Sequence, residues 1–409
     1  MRSKLKPTCA LNDNLFNIEA KFVNLIAKSF VFKKFFNELK SIITKNELKW
    51  DNIEILLEYH RIAPIAYHVF KENGFLELIP PEFKRKIEKK HSESVIRSQI
   101  YLEEFLEIQS LCADKGIKIA PLKGIYFILD IYYPLLCREM KDIDVIVGKH
   151  DLEKAESILL DLGYEHEFRS TDQAYWRNRH FHIVFQKKGR TDNKSAAVEL
   201  HFALTYKKDG LDNIPDLMKR YQNFKKNNRC IDLLSPEDNF LVFCFQERHI
   251  GRRLCMKTII DVALLMKKHV NSFDFDYLLR QAKHLKLRAP LYFILKQVYF
   301  VFQLSFLEDV IKNIDINVFR KRKLDALIRE NIFIIPCSQE TMTGFAKKRM
   351  MKISFFLYDS FLQAAKALFD MRIEEFLFFF ELDPKRLSTR FFYVLRPFYF
   401  LLKSAGFKK

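Results

Sequence analysis

Glycine is scarce in this sequence, which has 10 glycines in 409 residues, and no two of them are separated by a single residue. The dinucleotide-binding pattern GxGxxG and the phosphate-binding Walker A pattern both need closely spaced glycines, so neither can be written here. The metalloprotease pattern HExxH and the nucleophile pattern GxSxG are absent as well. These absences exclude several common cofactor and nucleophile motifs.

Cysteine gives no sign of a zinc site or a disulfide framework. The seven cysteines are odd in number and scattered, and no two of them form a CxxC pair. We therefore expect reduced thiols in a cytoplasmic protein. No uncharged apolar run of about 18 residues occurs, so we expect no membrane-spanning helix, and the first residues lack the apolar run of a signal peptide.

The chain carries a large excess of positive charge, with 69 Lys and Arg against 51 Asp and Glu and a formal net charge of +18. Such a charge attracts anions, which include nucleotides, nucleic acids, acidic polymers and anionic membrane surfaces. A solvated basic surface without a specific partner is the alternative. The hydrophobic content of 49% and the charged content of 29% are typical of a folded globular protein.

The spacing of apolar residues divides the chain into three regions and predicts an α+β protein. Residues 1–114 form a region with helical spacing, residues 115–230 contain strand-like runs, and residues 231–409 are again helical in period. Gly116 is typical of a helix end, and Ser235 followed by proline is typical of a helix start. We predict a central α/β unit between two helical regions.

Local signals place the strands and the helix of the central region. Residues 145–147 are all β-branched, which favours a strand, and residues 150–163 have the apolar stripe of a helix that ends in glycine. Two further strand-like runs follow at 179–189 and 195–204. Residues 189–193 are predicted to form the turn between them.

Three acidic residues are candidates for a metal site. Asp142 and Asp144 flank one isoleucine at the start of a predicted strand, and alternate strand residues point to the same face. Two carboxylates on one face repel each other, and a bound cation would remove that repulsion. Glu199, on a second predicted strand, would add a third carboxylate. Converging carboxylates suit Mg²⁺, although a charged strand end or a capping acid is the alternative for each residue.

Three residues upstream of the acidic pair are candidates for phosphate contacts. Lys123 and Gly124 end the strand predicted at 117–124 and open a predicted helix. A glycine lets a phosphate approach the backbone, and a helix N-terminus favours anions. Arg138 lies just ahead of the acids. An ordinary turn is the alternative for the Lys-Gly pair.

Histidines accumulate around the third acid. His180 and His182 lie two apart on one predicted strand, and His201 follows the third acid on the same face. A histidine cluster beside acids could bind a transition metal, and the alternative is a hydrogen-bonded wall of the site. In the helical region, His249 and Asp261 could orient a substrate, or they could have core or capping roles.

The order of these residues resembles a known family. The segments APLKGIYFILDIYY, REMKDIDVIVGKHDLEKAESILLDLGYEHE and VELHF are similar to a bacterial nucleotidyltransferase-like family of the polymerase-beta superfamily. That family has a Leu-Lys-Gly turn, an Arg shortly before Asp-Ile-Asp, a helix that ends in Gly-Tyr, and an acid-Leu-His strand. The similarity covers roughly residues 115–205 and continues into HIGRRLCMKTIIDVALLMKK at 249–268.

The resemblance implies a small mixed-sheet nucleotidyltransferase core with flanking helices, followed by a large helical C-terminal domain. It also implies that Asp142 and Asp144 bind Mg²⁺ and bridge it to a nucleoside triphosphate. Glu199 would be the third carboxylate for one or two ions. Gly124 would lie under the phosphates, and His201 would be a further substrate contact.

The turn departs from the superfamily pattern, which usually reads Gly-Gly or Gly-Ser. Here Gly124 is preceded by lysine and followed by isoleucine, and it lies farther than usual from Asp142. Lys123 and Arg138 are therefore expected to contact the phosphates.

The implied reaction moves a nucleoside monophosphate from a nucleoside triphosphate to an unidentified acceptor hydroxyl or phosphate and releases pyrophosphate. The alternative is a catalytically degenerate adaptor, which would bind RNA, a membrane surface or a protein partner through its basic helical domain. The presence of three mutually repelling acids favours the enzyme.

Residues 388–409 mix aromatic and basic side chains. They are predicted either to lie on an anionic membrane as an amphipathic anchor or to form a buried terminal helix with a basic tip.

Overall fold

The protein is an α+β structure in which helices surround one mixed sheet, as predicted. The structure is a computed structural model that describes residues 18–167, 176–177, 180–187, 196–205, 220–226, 229–248, 255–333, 355–369, 373, 376–377 and 387–395. The predicted turn at 189–193 and the candidate His249 lie outside the described residues.

From residue 18 onward, where the described part of the chain begins, five helices precede the sheet. They are α1 (Ile18–Phe32), α2 (Phe36–Lys45), α3 (Trp50–His60), α4 (Ala63–Glu72) and α5 (Pro81–Asp114). Helix α5 is 34 residues long, and it ends two residues before Gly116, whose φ of +69° is the left-handed conformation that glycine adopts readily. The predicted helix end at Gly116 is confirmed.

Within the described residues, the sheet has five strands in the order β1-β2-β5-β4-β3. Only β2 and β5 are parallel, and the other three pairs are antiparallel. The strands are β1 (Ile119–Pro121), β2 (Ile143–Val147), β3 (Tyr164–His166), β4 (His182–Lys187) and β5 (Ala197–His201). A separate hairpin is formed by β6 (Gln222–Lys226) and β7 (Arg229–Leu233).

Two helices of the central region support the strands. Helix α6 (Lys123–Phe127) continues into a π-helical turn (Ile128–Tyr132), and both are largely buried. Helix α7 (Leu152–Asp161) follows β2 and packs against α5 and β3. The strand at 145–147 and the helix within 150–163 therefore form where the sequence predicted them.

The C-terminal part is helical. Ser235 caps the first helix, because its Oγ accepts a hydrogen bond from the backbone N–H of Asp238 at 3.1 Å, as the Ser-Pro signal predicted. The helices are α8 (Pro236–Arg248), α9 (Met256–His269), α10 (Phe275–His284), α11 (Arg288–Phe302), α12 (Leu307–Lys312), α13 (Val318–Phe333), α14 (Phe361–Phe369) and α15 (Leu387–Val394). None of the helices within the described ranges is both long enough and apolar enough to cross a bilayer.

One continuous hydrophobic core joins the three predicted regions. It contains residues from α1, such as Phe22, from β2, such as Val145, and from α11, such as Phe293. The predicted boundary between residues 230 and 231 falls inside β7, so a division there would separate the two halves of a paired strand. The domain limits stay a prediction. The shared core joins the sheet to the helices on both sides.

Candidate functional site

The pairing of β2 with β5 brings the three predicted acids together. Asp144 lies in β2 directly beside Glu199 in β5, and Asp142 immediately precedes β2. Each of the three residues offers a carboxylate oxygen, and these oxygens lie within 4.8 Å of one another. Asp144 is 2% exposed and the other two acids are half-buried, so this negative charge is partly removed from water.

Lys123 supplies a cation to this acidic cluster. Its Nζ atom forms an ion pair with Oδ1 of Asp144, and only 11% of the Lys123 side chain is exposed. Lys123 begins helix α6 with a φ of +43°, a left-handed conformation that costs a non-glycine residue about 1–2 kcal/mol. The fold therefore holds a strained lysine against Asp144. The predicted phosphate ligand thus contacts a carboxylate in this structure.

The three carboxylates respond differently to their surroundings. Burial and the negative charges of Asp144 and Glu199 raise the pKa of Asp142 from 3.8 to about 6. Burial also acts to raise the pKa of Asp144, but the Lys123 ammonium and the hydrogen bond with His201 outweigh it, and the pKa is lowered. The pKa of Glu199 is lowered against burial by the same two partners. Of the three carboxylates, Asp142 is therefore the one whose ionised form is destabilised by the charges of the other two.

Gly124 is needed for close packing beneath the site. A Cβ atom at this position would lie 2.7 Å from Sδ of Met140, which is closer than real Cβ contacts allow, and 3.5 Å from Nη1 of Arg138. The space on that side of Gly124 is therefore filled by the protein's own side chains.

Arg138 is held by the helical region. It is 4% exposed, and its Nε and Nη2 atoms donate to both carboxylate oxygens of Asp261 in α9, with the shortest contact 2.8 Å long. Tyr132 donates a further hydrogen bond to the same carboxylate at 2.9 Å. Asp261 thus binds the Nε and Nη2 atoms of the Arg138 guanidinium, and the Nη1 atom of Arg138 lies on the side of Gly124.

The histidines line one side of the acidic cluster. His201 Nε2 lies 3.0 Å from Asp144 Oδ1 and 3.4 Å from Glu199 Oε2. His182, directly opposite His201 on β4, has its Nε2 atom 4.0 Å from Glu199 Oε1. His180 contacts the backbone carbonyl of His182 through Nδ1 at 3.0 Å. Burial lowers the pKa of His180 to about 4, and burial with neighbouring positive charges lowers the pKa of His182 well below its usual value.

The sequence did not single out Lys257, which enters the site from α9. Its buried Nζ atom donates to the backbone carbonyl of Glu139 at 3.1 Å. Burial and the charges of Arg138 and Arg61 lower the pKa of Lys257 to about 8, and its charge in turn acts to lower the pKa of Asp142. Lys257 lies within the stretch 249–268 that resembles the family, but a lysine among many lysines gave no further signal.

Comparison with known proteins gives one result for this chain. A family model described as an uncharacterised nucleotidyltransferase matches residues 46–302, which is more than half of the 409 residues. The matched segment begins just before α3 and ends with the last residue of α11, so it contains the sheet, the acidic cluster and Asp261. No curated protein and no solved structure matches the chain.

Proposed function

The chain belongs to this family of uncharacterised nucleotidyltransferases, and from that premise we propose that it transfers a nucleoside monophosphate from a nucleoside triphosphate to an acceptor hydroxyl or phosphate. The observation that carries the proposal is the convergence of Asp142, Asp144 and Glu199 from two adjacent strands. Pyrophosphate is the product that leaves.

The acidic cluster has the chemistry of a Mg²⁺ site. Its donors are carboxylate oxygens, the ligands that Mg²⁺ prefers. Because the protein supplies a small number of ligands, coordination positions remain for the oxygens of a triphosphate. The raised pKa of Asp142 supports this assignment, because it means that Lys123 and His201 do not neutralise all of the negative charge. Asp142, Asp144 and Glu199 would hold one or two ions. When bound, Mg²⁺ neutralises phosphate charge and lowers the pKa of an attacking hydroxyl.

The protein's own cations have separate tasks in this proposal. Lys123 exchanges Asp144 for a phosphate oxygen when the triphosphate binds, since its ammonium group lies beside the acidic cluster and can pair with either anion. Arg138 cannot leave Asp261 without stranding a buried charge, so its main task is to fix the backbone just ahead of Asp142. Lys257 adds positive charge beside that backbone.

His201 positions two of the acids. Because its Nε2 atom lies between Asp144 and Glu199, it fixes the orientation of one carboxylate from each strand. Gly124 keeps helix α6, and with it Lys123, close to the buried side chain of Met140. These contacts hold the acids in place before any substrate arrives.

A catalytically degenerate adaptor is the second candidate, and the Lys123–Asp144 ion pair favours it. A lysine that permanently neutralises Asp144 would prevent metal binding and leave only a basic protein with a net charge of +18. Such a protein would bind RNA, an acidic polymer or an anionic membrane surface through electrostatic attraction.

A pyrophosphate-release assay separates the two candidates. The full chain is incubated with a mixture of the four nucleoside triphosphates, Mg²⁺ and a cell extract as a source of acceptors. We expect pyrophosphate release by the wild type and by Asp161→Asn, a control on an exposed carboxylate outside the site. Asp144→Asn should release none. Equal release by Asp144→Asn and the wild type would contradict the enzyme.

A further inference from the structure

A second group of potential metal ligands lies beside the three carboxylates and shares only Glu199 with them. His182, Glu199 and His201 each offer one ligand atom, and these atoms lie within 4.8 Å of one another. The pairing of β4 with β5 creates this group, because His182 lies directly opposite His201, and Glu199 precedes His201 by two residues on the same face. All three residues are therefore held on strands.

The distances in this group are close to those around one ion. His201 Nε2 is 3.4 Å from Glu199 Oε2, and His182 Nε2 is 4.0 Å from Glu199 Oε1. Ligands about 2.0–2.1 Å from a tetrahedral zinc ion lie roughly 3.3 Å from one another. The His201–Glu199 separation is close to that value. The His182–Glu199 separation is longer and ends at the other carboxylate oxygen, so the His182 ring has to move toward Glu199 for the three residues to bind one ion.

The His182 ring lacks hydrogen bonds in the described part of the chain. His182 is 8% exposed, its Nδ1 atom is buried without a partner, and its Nε2 atom lies beyond hydrogen-bond distance of Glu199. Buried polar atoms are almost always paired, so an unpartnered imidazole beside a carboxylate needs an explanation. A metal ion bound at Nε2 supplies a partner for that nitrogen, because a metal ligand is a neutral imidazole with a free lone pair, and the ring proton then lies on Nδ1.

The donor atoms distinguish this group from the Mg²⁺ site. Imidazole nitrogen suits zinc and neighbouring transition metals, whereas Mg²⁺ takes oxygen ligands. We propose that His182, Glu199 and His201 bind a divalent transition-metal ion of the zinc type, with the remaining position open to water or substrate.

In the bound state His201 would ligate the ion through the Nε2 lone pair and carry its ring proton on Nδ1. Asp144 would lose its contact with His201 and keep Lys123 as its partner. The proposal goes beyond the transferase reaction and does not depend on it.

Calorimetric titration of the chelator-treated full chain tests the site. We expect the wild type to bind one Zn²⁺ ion. His182→Ala should bind Zn²⁺ at least about a hundredfold more weakly, since even residues that only support the ligands of a metal site contribute about 10–100-fold to metal affinity. His150→Ala, which alters a histidine whose side chain is 83% exposed, should bind Zn²⁺ like the wild type. Wild-type affinity in His182→Ala would overturn the proposal.

A third variant separates this site from the proposed transferase site. Asp142→Asn removes a ligand of the carboxylate group alone, so it should abolish binding of the Mg²⁺–triphosphate complex and leave Zn²⁺ binding unchanged. Loss of Zn²⁺ binding in Asp142→Asn, with His182→Ala unaffected, would assign the ion to the three carboxylates and overturn the proposal. If Zn²⁺ binds as expected but the wild type has no transferase activity, the result would support this site and contradict only the proposed transferase function.

The wild type provides a test that does not depend on the folding of a variant. X-ray absorption of the Zn²⁺-loaded full chain should give a shell of nitrogen and oxygen ligands with the outer scattering of two imidazole rings. A shell of sulfur ligands, or the absence of imidazole scattering, would overturn the proposal. His182→Gln, which keeps a polar side chain of similar size, replaces His182→Ala if the latter unfolds.

Discussion

Replacing Asp142 with asparagine should stabilise the metal-free protein. The pKa of Asp142 is raised from 3.8 to about 6, because burial and the charges of Asp144 and Glu199 disfavour its ionised form. A shift of about two pKa units corresponds to about 3 kcal/mol of unfolding free energy lost when the carboxyl ionises. Asparagine has the same shape and no charge, so it should recover up to about 3 kcal/mol at pH 8.

The sign of the pKa shift fixes how this gain changes with pH. The folded state binds the Asp142 proton more tightly than the unfolded state does, so ionisation destabilises the folded state. The loss is complete above about pH 6 and absent below about pH 4, which are the folded and unfolded pKa values. The advantage of Asp142→Asn should therefore be largest at pH 8 and about half as large at pH 5.

Urea unfolding of the metal-free full chain, followed by circular dichroism at both pH values, measures this effect. Asp161→Asn serves as the control, because its carboxylate is 72% exposed and the change should shift stability by less than about 0.5 kcal/mol. If Asp142→Asn is less stable than the wild type at pH 8, or if its effect does not depend on pH, the three acids do not repel one another as described. The same variant should lose the thermal stabilisation that Mg²⁺ and a triphosphate give the wild type.

Three further changes test other parts of the site. Lys123→Met removes the cation that pairs with Asp144, so the free energy of unfolding measured in urea should fall by about 1–3 kcal/mol. Calorimetry should show triphosphate binding weakened by a similar amount. Wild-type values in both measurements would contradict the proposed ion pair and the proposed phosphate contact of Lys123. Glu199→Gln should keep near-normal affinity for the Mg²⁺–triphosphate complex but release pyrophosphate at least about a hundredfold more slowly, and full activity would make Glu199 dispensable. Asp261→Asn leaves Arg138 without its buried counter-charge, so urea unfolding should show a loss of about 3–5 kcal/mol, whereas an unchanged midpoint would contradict the ion pair.

The local structure around the site could be predicted from the sequence because its signals are short-range. The β-branched run at 145–147, the glycine at 116 and the Ser-Pro pair at 235 each act within a few residues, and each element forms where its signal lies. The order of the acids also indicated the family, because the family pattern is itself local. Those features needed no knowledge of how distant segments meet.

The contacts within the site depend on distant segments, which is why the sequence did not reveal them. Arg138 and Asp261 are 123 residues apart in the sequence, and they meet where α9 packs against the central region. Lys123, which has a strained backbone at the start of α6, likewise pairs with a residue 21 positions away on β2. Arg138 and Lys123 were both predicted to contact phosphate, and in each case a buried carboxylate is the partner in this structure.

The fate of the α-phosphate tests the central claim most directly. The wild type is incubated with Mg²⁺, each α-labelled nucleoside triphosphate in turn and a cell extract that supplies acceptors. Nucleotidyl transfer predicts that label from at least one triphosphate becomes attached to an acceptor, with one pyrophosphate released for each label, and that Asp144→Asn does neither. Tight binding of the Mg²⁺–triphosphate complex without any labelled acceptor, or equal labelling by Asp144→Asn, would contradict the claim.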